Sequence, residues 1–174
     1  MKNIPAFAGI TIALLAATLA QAEKLADSLQ GSLVRLSQDA IVKAEPDALA
    51  GKKLIAVYYS AHWCPPCRAF TPELVKFYDE AKARHPEFEL IFVSSDHSAR
   101  EMKEYMIWGK MNWLALDYSQ RKLPVLKSLS ASGIPYLIVL DAEGKVLVAR
   151  PAGEDWMYPG TALTKLKKLL AQSR

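Results

Sequence analysis

The feature that most constrains the fold is a pair of cysteines, Cys64 and Cys67, placed between a predicted strand and a predicted helix. Residues 53–60 form a β-branched and aromatic run that is typical of a buried strand. After Cys67, apolar side chains recur at spacings of three and four up to about Arg84. This spacing predicts one buried helix face, formed by Phe70, Leu74, Phe77, Tyr78 and Ala81. The cysteines therefore lie where a buried strand passes into a helix.

This placement predicts different chemical roles for the two thiols. A helix N-terminus carries unpaired N–H groups and a partial positive charge, which favour a thiolate at the first cysteine. A dithiol catalyst also needs a second thiol close enough to resolve the mixed disulfide. We predict Cys64 as the nucleophile and Cys67, one helical turn further along, as the resolving thiol. Pro65 and Pro66 stiffen the turn between them, and they lack N–H groups that a helix start leaves unpaired anyway.

Other uses of the two cysteines fit the sequence less well. A disulfide across so short a loop restricts the unfolded chain little, so it is a poor structural staple. A structural zinc site needs four ligands, and the sequence has no second cysteine pair. Haem attachment needs a histidine after Cys67, where Arg68 stands. Copper(I), which favours thiolates, could use His62 with Cys64 and Cys67 and is kept as a minor alternative. We expect a redox dithiol with no bound metal and no cofactor.

The N-terminal residues have the pattern of an export signal. Lys2 precedes an uncharged run over residues 4–20, and Ala20-Gln21-Ala22 fits the small-x-small rule of signal peptidase. The run is short for a membrane span, which needs about 20 apolar residues. We therefore expect cleavage after Ala22 and a periplasmic or secreted protein, with a retained membrane anchor as the alternative.

The remaining patterns predict one α/β domain preceded by a short hairpin. Residues 23–30 are polar and are expected to be loosely ordered, whereas residues 32–43 alternate around a turn as a hairpin. Further strands are predicted at 88–94, 114–118, 136–140 and 145–149, and further helices at 98–108, 123–131 and 161–172. A parallel βαβ unit followed by an antiparallel ββα unit gives a central mixed sheet flanked by helices. We expect a signal peptide at residues 1–22, an N-terminal extension with the hairpin at 23–50, and the α/β domain at 51–174.

Composition limits the kind of partner. The chain is 51% hydrophobic, which is enough for a core without disulfide staples. Its formal net charge of +4 is spread along the sequence, so there is no clustered basic stripe of the kind that binds nucleic acid. We expect a monomer whose partners are proteins that carry disulfides or dithiols.

The segment SAHWCPPCRAFTPEL, residues 60–74, closely resembles the active-site segment of the nucleoredoxin and tryparedoxin branch of the thioredoxin superfamily. Met111-Asn112-Trp113-Leu114-Ala115 resembles a segment in the middle of that branch's fold. The similarity runs from about Gly51 to Ala149. It implies a thioredoxin-like fold and the reduction of protein disulfides.

The resemblance also implies roles for single positions. Trp63 would flank the dithiol. Gly133-Ile134-Pro135-Tyr136 is similar to the loop where thioredoxins place a cis-proline, so Ile134 and Pro135 would form a ledge that pairs with substrate backbone. Pro72 matches the proline that kinks the active-site helix. Tyr58 stands where thioredoxin has a buried aspartate, so we assign no carboxylate as acid or base.

Three functions stay open from the sequence. The resemblance favours a reductase recharged by a membrane electron-transfer protein, whereas export favours an oxidase or isomerase of disulfides. A Cu(I)-binding module is the third. Asp96 and His97 follow a strand end on the face that should hold the dithiol, so one interpretation is that they line the site. We favour the alternative that they form a turn leading into a helix cap at Ser98. His62 is interpreted either as a solvated loop residue or as a group that favours the thiolate.

Overall fold

The computed structural model describes residues 25–172, and the predicted signal segment lies outside them. The strands in this part of the chain are β1 (Leu33–Ser37), β2 (Ala40–Lys43), β3 (Leu54–Ser60), β4 (Phe88–Ser94), β5 (Leu114–Leu116), β6 (Tyr136–Asp141) and β7 (Val146–Val148). Residues 25–29 form a short helical segment, and the helices after it are α1 (Pro65–Arg84), α2 (Ala99–Gly109), α3 (Pro124–Leu129) and α4 (Pro159–Gln172), with a 3-10 turn at Tyr118–Gln120. None of the helices in residues 25–172 has the length and apolar character needed to cross a bilayer.

All seven strands join one mixed sheet in the order β2-β1-β5-β4-β3-β6-β7. β3 and β4 pair in parallel over their full length, and α1 forms the crossover between them. β6 pairs antiparallel with β3 on its other side, and β7 continues from β6 as a hairpin. The predicted mixed sheet with flanking helices, and with it the thioredoxin-like fold class, is therefore confirmed.

The central strands are buried on both faces because successive side chains point to opposite sides of the sheet. On one side, Ala56 and Tyr58 of β3 pack in a core cluster that includes residues of α1, α2 and α4. On the other side, Ile55 and Val57 pack with Leu126 of α3. Every residue of β3 and β4 is buried, which explains why both strands appear in the sequence as near-continuous apolar runs. Glu89 is the charged exception in β4, and its carboxylate accepts from Tyr78 and Lys82.

The ends of α1 and α2 follow local capping rules. His85 is the C-cap of α1, and its N–H donates to the carbonyl of Ala81 at 2.8 Å. Ser98 is the N-cap of α2 and accepts the N–H of Glu101 at 3.1 Å, so the predicted helix start is confirmed. Pro72 lies inside α1, at the position expected from the sequence.

The segment before the hairpin is more ordered than the sequence predicts. Residues 25–29 are helical, and Leu25 and Leu29 are buried, so the expectation of a loosely ordered segment is wrong for these residues. Two leucines four residues apart lie on the same face of a helical turn and can be buried together. β1 pairs antiparallel with β5, so the hairpin extends the main sheet.

Three other boundaries differ from the prediction by a few residues. β5 ends at Leu116 because the Asp117 side chain accepts the N–H of Ser119 and begins the 3-10 turn. α3 ends at Leu129 rather than at residue 131. α4 begins at Pro159, two residues before the predicted start, because proline fits the first turn of a helix.

Candidate active site

Cys64 and Cys67 lie at the start of α1 and form a disulfide. Cys64 is the N-cap, and its Sγ accepts the N–H of Cys67 at 3.3 Å. Cys64 is 3% exposed and Cys67 is fully buried, whereas Pro65 and Pro66 between them are exposed. This is the position that the sequence predicts for the pair. The roles of Cys64 as nucleophile and Cys67 as resolving thiol stay predictions.

A second loop lies against Cys64. Its Ile134–Pro135 peptide bond is cis, which agrees with the geometry that the family resemblance implies. The Cys64 Sγ lies 3.8 Å from the carbonyl oxygen of Ile134. Ile134 also packs in a small apolar cluster with Ala61 and both cysteines. The predicted ledge residues are therefore next to the dithiol.

Trp156 packs against this ledge and donates a hydrogen bond to it. Its indole N–H donates to the carbonyl of Pro135 at 2.8 Å, which occupies that acceptor. Its ring lies 3.3 Å from where a Cβ on Gly133 would be, so a larger residue at Gly133 would press on the indole. Ser132 adds a second link, because its N–H and hydroxyl both donate to the carbonyl of Asp155. The carbonyl of Ile134 is left facing the dithiol.

Aromatic side chains surround the loop before Cys64. Trp63 is 50% exposed, its ring stacks on His97 at 5.7 Å, and its N–H donates to the carbonyl of Ser95. His62 stacks on Tyr105 at 5.3 Å and contacts the half-exposed Trp108. His62 therefore lies in a turn, partly exposed, with its ring packed against aromatic neighbours.

Asp96 has two interpretations from the sequence, as a residue that lines the site or as part of a turn before Ser98. Its carboxylate is buried and accepts the N–H of His62 at 2.7 Å and the hydroxyl of Ser94 at 2.7 Å. Asp96 thus holds the loop that presents Cys64, and it also lies in the bend that leads into the Ser98 cap, as the favoured interpretation expected. Its position directly after β4 is the signal for a place beside the site, because carboxyl ends of adjacent parallel strands meet at one edge of the sheet.

A group of buried hydroxyls lies behind Cys67. Tyr58 Oη is 3.0 Å from Thr71 Oγ1, and Thr71 Oγ1 is 2.6 Å from Tyr105 Oη. Ser60 Oγ contacts both tyrosine hydroxyls, and Thr71 donates to the Cys67 carbonyl at 3.0 Å. Burial raises the pKa of Tyr58 and of Tyr105, so both phenols stay protonated at neutral pH. Neutral hydroxyls thus fill the space where the resemblance places an aspartate.

The copper alternative requires His62 beside both cysteines. Among residues 25–172 there is no group of three His, Cys, Asp or Glu side chains placed to hold a metal ion. The His62 ring instead packs on Tyr105. The geometry therefore gives the copper interpretation no support.

Burial of Asp96 makes folding stability depend on pH in a defined direction. Desolvation raises the pKa of this carboxyl in the folded protein above its ordinary value. Below the ordinary value of about 4, the carboxyl is protonated in both states and contributes nothing. As the pH rises from there through the raised pKa, the unfolded chain ionises first, and the folded state loses relative stability.

We expect Asp96→Asn to remove this loss, because the amide oxygen still accepts the His62 N–H without a charge. The free energy of unfolding of the variant minus that of the wild type should increase from about pH 4 to about pH 7, measured by urea denaturation at each pH. Asp96→Ala is the matched control: it should show the same slope but lie about 1–3 kcal/mol lower, because it leaves buried polar groups unpaired. A difference that is flat or falls with pH would contradict the assignment.

The comparisons with known proteins agree with this geometry. A family model described as thioredoxin-like matches residues 51–146. Nucleoredoxin from Mus musculus is 44% identical over 105 residues, which cover 59% of this chain and 23% of that protein. Tryparedoxin from Trypanosoma brucei brucei is 35% identical over 130 residues, which cover 74% of this chain and 86% of that protein. The chain spans only 16% to 28% of the nucleoredoxins it matches.

A solved structure supports the same relationship at the level of the fold. Tryparedoxin II complexed with glutathionylspermidine superposes with a TM-score of 0.58 at 36% sequence identity. The match covers 74% of this chain and 86% of that chain. The protein therefore belongs to the thioredoxin-like family, with nucleoredoxins and tryparedoxins among its relatives.

Proposed function

We propose that this protein is an exported thiol–disulfide oxidoreductase that reduces disulfides in other proteins. The observation that carries the proposal is the position of Cys64, which caps α1 and faces the Ile134 carbonyl while Cys67 is buried beneath it. Nucleoredoxin and tryparedoxin homologues with this fold are thiol–disulfide oxidoreductases. No cofactor is needed, because the two sulfur atoms themselves carry the electrons.

The reaction follows from the two different environments of the sulfurs. In the reduced protein, the Cys64 thiolate is stabilised by the N–H of Cys67 and the positive end of α1. It attacks one sulfur of the substrate disulfide, forms a mixed disulfide and releases the other sulfur as a thiolate, which takes up a proton. Cys67 then loses its proton, attacks Cys64 and releases the second substrate sulfur as a thiol. The substrate gains two electrons and two protons, and the protein is left with its Cys64–Cys67 disulfide.

Substrate is proposed to lie between the ledge and the exposed turn. The Ile134 carbonyl lies next to the Cys64 Sγ, so an extended segment beside a substrate disulfide can place a backbone N–H on it. Pro135 fixes the direction of this carbonyl. Trp63, Pro65 and Pro66 are exposed around the buried sulfurs and offer apolar contact to the substrate. The tryparedoxin II complex with glutathionylspermidine supports a thiol-bearing ligand for this fold.

The proposal also covers where the protein acts and which kind of protein supplies its electrons. Lys2, the apolar run over residues 4–20 and the Ala20-Gln21-Ala22 pattern support export with cleavage after Ala22. A protein outside the cytoplasm needs a reductant that delivers electrons across the membrane, so we propose a membrane electron-transfer protein as donor. We propose that the protein acts as a monomer, since its site is complete within one chain.

The reduction potential of the Cys64–Cys67 pair tests the direction of the reaction. A reductase should lie near the thioredoxin value of about −270 mV, whereas a strong disulfide donor lies near about −120 mV. We expect a value near the lower figure, measured by equilibration of the mature protein against thiol and disulfide buffers. A value near the upper figure would contradict the reductase and establish the oxidase that export alone would favour.

A further inference from the structure

A cleft of about 430 Å³ opens next to the ledge, between the sheet and α3. Its apolar lining includes Val93, Leu126 and Ile134. Its charged lining consists of Arg121, Lys122 and Lys127, and no acidic side chain lines it. The cleft therefore combines an apolar wall with a cluster of positive charge.

The three cations of the cleft are not neutralised within the described part of the chain. None of them takes part in any of the ion pairs formed among residues 25–172. The Arg121 guanidinium lies 3.8 Å from the centre of the Tyr118 ring and donates to the Tyr118 carbonyl, which fixes its position. Lys122 and Lys127 are exposed on either side of the start of α3 and are free to turn toward a ligand. An uncompensated charge cluster of this kind attracts anions and repels cations.

The position of the cleft connects it to the proposed reaction. Ile134 lines the cleft, and its carbonyl oxygen lies 3.8 Å from the Cys64 Sγ. Ser95, whose carbonyl accepts the Trp63 N–H, lines the cleft from the other side. A polypeptide that pairs with the ledge next to its disulfide would therefore continue into the cleft.

We propose that this cleft binds an acidic segment of the substrate polypeptide, next to the disulfide that is reduced. The inference rests on the proposed function and adds a substrate preference to it. Charge complementarity decides the occupant, because a chain with Asp or Glu beside the disulfide would meet Lys122 and Lys127, whereas a basic chain would be repelled. The apolar wall accepts the intervening apolar side chains. Selectivity then comes from charges outside the dithiol itself.

Two disulfide-bonded peptides of the same length test the preference, one with aspartates and one with lysines beside the disulfide. Each exposed ion pair contributes up to about fivefold, so we expect kcat/KM for the acidic peptide to exceed that for the basic peptide by about fivefold or more at low salt. The ratio should fall toward one at about 1 M salt, where charges are screened within about 3 Å. Equal kcat/KM values at low salt would overturn the proposal.

Charge reversal locates the effect in the cleft. The double variant Lys122→Glu, Lys127→Glu should invert the ratio of kcat/KM between the acidic and the basic peptide. The double variant Lys122→Gln, Lys127→Gln should bring this ratio near one without adding acid to α3. Lys165→Glu with Lys168→Glu is the matched control, because these exposed lysines lie on α4 outside the cleft. The control should keep the wild-type ratio. A ratio that changes as much in the control as in the cleft variants would mean that net charge decides, and it would overturn the proposal.

Two further measurements separate this inference from the proposed function and from a smaller ligand. A fluorescent acidic peptide without cysteine should bind the wild-type protein about fivefold or more tightly than the Lys122→Glu, Lys127→Glu variant, measured by anisotropy. Acid-selective binding without any disulfide reduction would overturn the proposed function and leave the cleft assignment standing. If the reduction of glutathione disulfide depends on the two lysines as strongly as that of the acidic peptide, the cleft serves a small anionic disulfide and the polypeptide assignment is wrong.

Discussion

Replacement of Cys64 by serine is expected to abolish disulfide reduction, whereas replacement of Cys67 by serine is expected to trap the substrate on the protein. Cys64 caps α1 next to the Ile134 carbonyl, so without its sulfur the first attack cannot occur. We expect turnover to fall about a thousandfold or more, as it does when other enzymes lose a covalent nucleophile. With Cys67→Ser, Cys64 still attacks, but no thiol at residue 67 can release the mixed disulfide.

The two variants give different readouts, so the test assigns a role to each sulfur. Turnover is measured as thiol-driven reduction of a protein disulfide, and the mixed disulfide is detected by non-reducing electrophoresis and mass spectrometry. The doubly substituted Cys64→Ser, Cys67→Ser protein is the matched control and should give neither signal. If Cys64→Ser accumulates the mixed disulfide and Cys67→Ser does not, the assigned order of attack is reversed. Full turnover in either single variant would contradict the dithiol mechanism.

The parts of the fold that could be predicted from the sequence are those set by contiguous patterns. β3 and β4 are buried on both faces, and such strands are near-continuous apolar runs, so their ends were found within one residue. α1 buries one face, and its apolar residues recur with the helical period. Ser98 and Glu101 have the spacing of a helix start, and the cap forms there. In each case, the signal and the structure it determines lie in the same short segment.

Several contacts of the site join distant segments, so the sequence alone does not reveal them. His62 and Asp96 are joined across β3 and β4, and which residues meet there is set by the register of the two strands. The buried hydroxyls behind Cys67 come from three elements, because Ser60, Thr71 and Tyr105 belong to β3, α1 and α2. Serine, threonine and tyrosine occur in any element, so no spacing marks them as partners. The cis bond before Pro135 was expected only because of the family resemblance.

The helical turn at residues 25–29 was missed for a related reason. A strongly polar segment with only two leucines has too few apolar positions to give a helical period. Its order comes from burial against other elements, because Leu25 and Leu29 pack in the core cluster that also contains Leu33, Ile55 and Leu116. This cluster covers the face of the sheet opposite α1, so residues that precede the family match at 51–146 complete the core of the domain.

Replacement of Leu29 by alanine is therefore expected to destabilise the whole domain. Leu29 is fully buried, and truncation of a buried leucine costs about 2–5 kcal/mol of the free energy of unfolding, since it removes apolar contacts and leaves a cavity. We expect a loss of about 3 kcal/mol, measured by urea denaturation with both tryptophan fluorescence and circular dichroism. Asp27→Ala in the same turn is the matched control: its side chain is exposed, and its effect should stay within about 0.5 kcal/mol.

The size of the Leu29→Ala effect decides how the N-terminal segment relates to the rest of the domain. If the segment folds with the sheet, fluorescence and circular dichroism should give one coincident transition at lower urea, because loss of the Leu29 contacts weakens a single cooperative unit. If residues 25–29 opened on their own, the substitution would act only on that local opening and global stability would change by less than about 1 kcal/mol. Such a result would mean that the cluster on this face of the sheet is complete without Leu29.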